Sequence, residues 1–266
     1  MKKIAVFGVP RSGTSWLSQI FNSHPDVALR FQPLFSFEHK ERLTPNASLV
    51  DIDGFFHEIL NSSDDMALMK SKVHKGYPEF QKSDSPEAIV FKETRYLNLI
   101  DNLLNKDKDL QIIGIVRNPL ATIASWYQAP KEFDSSWDIF EEWMYAEKKN
   151  LGKVEEFYGF SKWLEVTKKF IILQNKYPSQ FKIIKYSDLN NNTENAVKGM
   201  FEFVSLNLSS QTKDFLLQSK SRHDDDPYSV YRSKANDEGW REILPEEITE
   251  KISIQIYKEN LQDYLG

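Results

Sequence analysis

Near the start of the chain, Gly8-Val9-Pro10-Arg11-Ser12-Gly13-Thr14-Ser15 packs two glycines, one cation and three hydroxyls into eight residues. Such a stretch can wrap backbone N–H groups around an anion, with glycine allowing the turns. Trp16, Leu17, Ile20 and Phe21 follow at helical spacing, so a helix points its positive end at the same charge. Nucleotide-hydrolysing phosphate loops, G-x-x-x-x-G-K-S/T, place Lys directly after the second glycine. Here Thr14 holds that position and the cation is Arg11, inside the loop. That argues against ordinary γ-phosphoryl transfer. A second cluster is Arg117-Asn118-Pro119 with Ser125 further on. A guanidinium fork plus a hydroxyl suits a phosphate monoester. A third is Lys92-Glu93-Thr94-Arg95, which sets a carboxylate among cations.

The elements around these clusters follow from short apolar runs. Ile4–Phe7, Ile89–Phe91, Ile112–Val116 and Phe181–Tyr186 read as buried strands. Asn118 and Pro119 form the start of a helix, as N-cap and first helical residue. Helical patterns fit 161–176, 194–204 and 210–219, and another helix begins at Pro245-Glu246-Glu247. Ser135 is expected to cap a further helix, with Asp138 as its partner. Residues 30–88 read as loops and short helices, and 220–240 as polar and irregular. Strands alternating with helices imply an α/β fold: a central, mostly parallel sheet with helices on both faces, in three layers. Ligands in such sheets sit outside the carboxyl ends of the strands. The phosphate loop, Lys92-Glu93, Arg117 and Ser187-Asp188 each follow one of the four strands, so all converge on that edge.

The 266 residues suit one domain over 1–266, with no linker and no internal repeat. Net charge is −5, which gives no bulk attraction to nucleic acid, so anion binding must be local. There is no cysteine, hence no disulfide and no thiolate metal site. Neither a signal peptide nor a transmembrane segment is evident, and the reading is a cytoplasmic protein.

Pro10-Arg11-Ser12-Gly13-Thr14-Ser15-Trp16-Leu17 resembles the 5'-phosphosulfate loop of sulfotransferases that use 3'-phosphoadenosine-5'-phosphosulfate (PAPS). The resemblance implies that Arg11, Ser12, Gly13, Thr14 and Ser15 hold the phosphosulfate and that Trp16 stacks on adenine. Trp16 serves equally as a core residue of its helix. The family's 3'-phosphate motif, Arg-(Asp/Asn)-Pro with Ser eight residues after the Arg, is matched by Arg117 and Ser125. A late Arg-Lys-Gly segment that covers the 3'-phosphate is approximated by Arg232 and Lys234, although Ser233 separates them and no Gly follows. A solvated loop fits that stretch as well. The implied fold is the P-loop sulfotransferase fold. The implied donor is PAPS, with 3'-phosphoadenosine-5'-phosphate (PAP) as product and no metal required.

His24-Pro25-Asp26-Val27 followed by Phe31-Gln32-Pro33-Leu34 looks like the stretch after the loop in carbohydrate and protein-tyrosine sulfotransferases, and the carbohydrate enzymes often carry Glu where Gln32 stands. An amide cannot take a proton at neutral pH, though it can orient a hydroxyl. Three residues could replace it as the base: Glu93, the first choice because it stands at the strand-end edge, and Glu38 and His39 just past Gln32; an ion pair to Lys92 or Arg95 is the plain alternative for Glu93. Lys92 and Arg11 are candidates for stabilising the transferring group. Gln32, His39 and Arg95 are candidates for acceptor contacts. Tyr186-Ser187-Asp188-Leu189 resembles a structural family segment in which Asp188 braces the loop. The acceptor, a small molecule or a glycan, is expected to meet the regions around 30–80 and 126–165. Trp126, Tyr127, Trp137, Trp143, Tyr145, Tyr158 and Trp163 there offer faces for a sugar ring or simply pack the core. Two rival readings are a small-molecule kinase and a PAPS-binding protein without turnover.

Overall fold

The computed structural model describes residues 1–73, 77–222, 224, 226, 228–231 and 237–265. Five strands form one sheet: β1 (Lys2–Phe7), β2 (Val27–Phe31), β3 (Ala88–Glu93), β4 (Gln111–Val116) and β5 (Phe181–Lys185). Their order is β2-β3-β1-β4-β5 and every pairing is parallel. The strands read as continuous apolar runs because both faces are covered. Side chains alternate between the faces. Ala5, Phe7, Ile89, Phe91 and Ile112 enter one core, with the helices Leu49–Asn61, Pro119–Tyr127, Phe160–Lys176 and Glu246–Lys258. Ile4, Val6, Val90, Ile113 and Ile115 enter the other, with the helices Thr14–Asn22, Thr193–Phe203 and Ser210–Ser221. This is the three-layer α/β arrangement that the pattern implied.

Two elements differ from the sequence reading. β2 is a strand although Arg30 sits inside it. Its buried guanidinium donates to the carbonyls of Leu29, Ile59 and Leu60. Lys82 likewise donates to the carbonyls of Asn22, His24 and Val27. These cations close the carboxyl ends of two helices and line the outer edge of β2. The Leu49–Asn61 helix is longer than the short pieces expected there. Its start is fixed by a capping box: Ser48 Oγ accepts from Asp51 N, and the Asp51 carboxylate accepts from Ser48 N.

Ser135 caps nothing. Asp134 gathers the Ser136 N–H and hydroxyl into a turn, and Asp138 caps the short Ile139–Glu142 helix instead. Asp188 lies in the first turn of a helix, Tyr186–Asn191, that begins directly after β5. No helix among the described residues is long and apolar enough to cross a membrane.

Candidate active site

β1 sits at the centre of the sheet; from it the chain goes to the edge strand β2, returns inward to β3, and then crosses past β1 to run outward through β4 and β5 on the other side. That reversal opens a crevice at the carboxyl ends of β1 and β4. A cleft of about 890 Å³ lies there. Among the described residues it is lined by seven basic side chains, Arg11, Lys92, Arg95, Arg117, Lys131, Lys149 and Lys220, against two carboxylates, Glu132 and Asp237. In a chain of net charge −5, the positive potential is concentrated where the strand ends meet.

The loop after β1 has the backbone of an anion cradle. Arg11 and Gly13 both adopt left-handed conformations, at φ 70° and 94°. A Cβ on Gly13 would come within 2.6 Å of the Tyr186 ring, so this position needs glycine both for its φ and for its space. Thr14 opens the Thr14–Asn22 helix without a side-chain cap, leaving first-turn N–H groups for an acceptor outside the helix. Gly13, Thr14, Ser15 and Trp16 all line the cleft. Ser12 does not. It is fully buried, and its N–H and hydroxyl both donate to Val9 O, at 3.2 and 2.7 Å. The hydroxyl expected to touch the anion braces the turn instead. Trp16 is half-buried; its Nε1 donates to Ser219 Oγ at 3.3 Å and its edge meets Tyr186.

Arg117 leaves β4 into the same cleft. Its Nη1 donates to Arg11 O at 3.0 Å, its Nε donates to Asp237 Oδ1 at 2.7 Å, and its guanidinium lies 4.8 Å from the Tyr186 ring centroid. The backbone carbonyl of Arg117 accepts from Trp163 Nε1 at 2.8 Å, which fixes the turn. Asn118 caps the next helix by accepting from Leu120 N, with Pro119 following it as expected. Ser125 on that helix accepts from Arg11 Nε at 3.2 Å. The two anion motifs, far apart in sequence, are therefore in direct contact. Trp240 also lines the cleft, and its buried Nε1 is a donor with no partner among the described residues. Arg232 and Lys234 lie outside the described residues.

The strand ends on the other side separate the expected catalytic residues. Lys92 lines the cleft, its Nζ 4.3 Å from the Phe31 ring centroid. Glu93 is next along β3, and alternation turns it away from the cleft. It is fully buried and its Oε1 accepts from Leu34 N at 2.9 Å. Burial pushes its carboxyl up to about 8, although the Leu34 N–H, Lys92 and Arg95 oppose the shift. Burial thus favours a protonated Glu93 that braces the turn after β2, and its side chain does not line the cleft.

Gln32 is in the cleft, in a left-handed conformation at φ 47°, and its Nε2 donates to Thr94 Oγ1 at 2.8 Å. Arg95 is in the cleft as well, stacked 3.8 Å from the Phe35 ring centroid and paired with Glu156 at 2.8 Å. His39 is not: it is buried, with Nε2 3.4 Å from Glu38. Of the aromatic residues expected around the acceptor, Tyr158 alone lines the cleft. Trp126, Trp143 and Trp163 are core residues. Besides Trp16, Tyr186 and Trp240 on the donor side, the cleft's aromatic walls include Phe31, Phe35, Tyr77 and Tyr228. Glu132 and Lys149, which the sequence reading passed over, also line it. Their only signal in the sequence was a position inside the 126–165 region.

The model of the sulfotransferase domain family matches residues 1–264, nearly the whole chain. This protein is a member of the sulfotransferase family. A mouse sulfotransferase crystallised with PAP is similar at 14% identity, with 99% of this chain and 89% of that one covered and a TM-score of 0.56. A sulfotransferase from Alicyclobacillus acidocaldarius is similar at 17% identity, with coverage of 100% and 96% and a TM-score of 0.54. At those identities the likeness concerns the fold. The nodulation protein NoeE of Sinorhizobium fredii is 26% identical over 126 residues, which is 45% of this chain and 30% of NoeE. The matched stretch thus spans less than a third of that relative's length.

Proposed function

We propose that this sulfotransferase moves a sulfuryl group from PAPS to a hydroxyl of a saccharide or glycoconjugate. The observation that carries the donor reading is the contact between the two anion motifs. Arg11 donates to Ser125 Oγ at 3.2 Å, and Arg117 donates to Arg11 O at 3.0 Å. One ligand with phosphates at both ends would bridge such a pair of sites.

The residues suit that ligand. The N–H groups of Gly13, Thr14 and Ser15, with Arg11 above them, would hold the 5'-phosphosulfate. Arg117 and Ser125 would hold the 3'-phosphate, and Trp16 would offer its ring to the base. The unpartnered Trp240 Nε1 supplies one further donor in the cleft wall. Bound PAPS would supply the activated sulfuryl group. Lys92, desolvated in the cleft wall, would then stabilise charge on the departing phosphate. Phe31, Phe35 and Tyr158 present aromatic surface on the acceptor side, and Gln32, Thr94 and Arg95 present polar groups among them. A few polar groups set between flat apolar faces suit a sugar ring.

The test is calorimetric titration with PAP, ATP and AMP without added metal. Selective binding of PAP that is lost in Arg117→Ala supports the donor reading. Equal or tighter binding of ATP would replace it with the kinase reading. Tight PAP binding without sulfuryl transfer to any of a broad acceptor panel would favour the non-catalytic binder.

A further inference from the structure

Sulfuryl transfer to a hydroxyl releases a proton, and the bases that the sequence suggested, Glu93, Glu38 and His39, do not line the cleft. Gln32 is an amide, and Glu93 is sealed beneath Leu34. Among the described residues only two carboxylates line the cleft, Glu132 and Asp237. Asp237 is bonded to Arg117 at 2.7 Å. Resting on the donor reading above, we propose that Glu132 is the general base that takes the proton from the acceptor hydroxyl.

Three observations support the assignment. The first is position. Glu132 Oε2 lies 3.8 Å from Arg11 Nη1, so the carboxylate stands one guanidinium away from the phosphate loop. That separation is too long for a hydrogen bond but keeps the charges paired. The second is chemistry held in reserve. Oε2 is shielded from solvent and has no hydrogen-bond partner among the described residues. An unsatisfied buried acceptor of this kind costs free energy and calls for a functional account. A hydroxyl donor on the acceptor would satisfy it. The third is rigidity. Glu132 N donates to Ala129 O at 2.8 Å, and Trp126 Nε1 donates to Glu132 O at 3.1 Å. Trp126 is 1% exposed and stacks edge-on against Phe133. These anchors tie Glu132 to the Pro119–Tyr127 helix, which also carries Ser125. The base and the 3'-phosphate site therefore share one rigid support.

The step balances simply. The acceptor oxygen forms a bond to sulfur while the bond from sulfur to the bridging oxygen breaks. The electron pair of that bond leaves on the 5'-phosphate of PAP, and the hydroxyl proton moves to Glu132 Oε2.

Water is an acceptor present in every assay, so the proposal is testable before the natural acceptor is known. PAP and inorganic sulfate released from PAPS are followed for wild type, Glu132→Gln, Glu132→Asp and Glu132→Ala, and PAP binding is measured calorimetrically for each. We expect Glu132→Gln to slow release by about a hundredfold or more while PAP affinity stays within about threefold. Glu132→Asp should retain more activity than Glu132→Gln, and added formate should restore part of the rate of Glu132→Ala. Equal release by Glu132→Gln and wild type, including equality at the buffer rate, overturns the proposal. So does a tenfold or larger loss of PAP affinity in Glu132→Gln, which would make Glu132 a brace for Arg11. If wild type itself does not bind PAP, the donor reading fails and this proposal falls with it.

Discussion

Replacing Glu93 by Gln separates two roles that its place in the sequence left combined. The carboxyl is 0% exposed, accepts one hydrogen bond from Leu34 N and has a second oxygen with no hydrogen-bond partner among the described residues. Its pKa is about 8 in the folded protein against 4.5 for the free group. Between those values the unfolded chain has released the proton and the folded chain has kept it. Stability conferred by this site is therefore full below about 4.5 and falls as the pH rises toward 8. At about 1.4 kcal/mol per pH unit, the loss between pH 5 and pH 8 is at most about 4 kcal/mol. Gln has the shape of the protonated acid, keeps an oxygen for Leu34 N–H and does not titrate. Urea unfolding of both proteins at pH 5, 6.5 and 8 reads the difference. The two curves should nearly coincide at pH 5, and the variant should be more stable by up to about 4 kcal/mol at pH 8. Transfer from PAPS to water should persist in the variant. A variant that tracks wild type at every pH would refute the buried, protonated carboxyl. A variant that is stable but has lost transfer would return Glu93 to the reaction.

Asp237→Asn leaves Arg117 with an uncharged partner, so a 3'-phosphate no longer displaces a carboxylate. PAP should bind about five- to tenfold more tightly by calorimetry, the size of one charge-assisted hydrogen bond, while AMP stays unchanged. Unaltered PAP affinity would mean that the 3'-phosphate does not use this fork. Gly13→Ala should cost about 2–4 kcal/mol, from its left-handed backbone together with its clash on the Tyr186 ring. A fall in Tm of about 5 °C or more should report that cost, and an unchanged Tm would contradict the cradle geometry.

The donor half of the site was legible because its logic is local. Gly13 is needed where the backbone turns left-handed, Asn118-Pro119 starts a helix, and Arg117 stands where a strand ends. Each of these is a short-range rule, and the four recognised strands carried them to one edge. The acceptor half was less legible because it depends on which way a side chain faces. Lys92 and Glu93 are neighbours in sequence, yet one lines the cleft and the other is sealed from it. Ser12 looked like an anion contact, but its hydroxyl turns back to Val9. Glu132 carries no motif; a turn held by the indole of Trp126 brings it to the cleft. β2 was hidden by Arg30, a charge that reads as surface until its carbonyl partners are known.

Those partners also bear on how the protein behaves in a crowded solution. β2 is the last strand on its side of the sheet, and an open parallel edge is a template on which another chain can add a strand. Here the outward carbonyl of Val27 is taken by Lys82, that of Leu29 by Arg30, and the N–H of Phe31 donates to Ala67 O at 2.8 Å. An incoming strand would have to displace two cations, the buried Arg30 and the carbonyl-bound Lys82, before making its first ladder bond. The same charges that hid β2 from sequence reading guard it against intermolecular β-pairing.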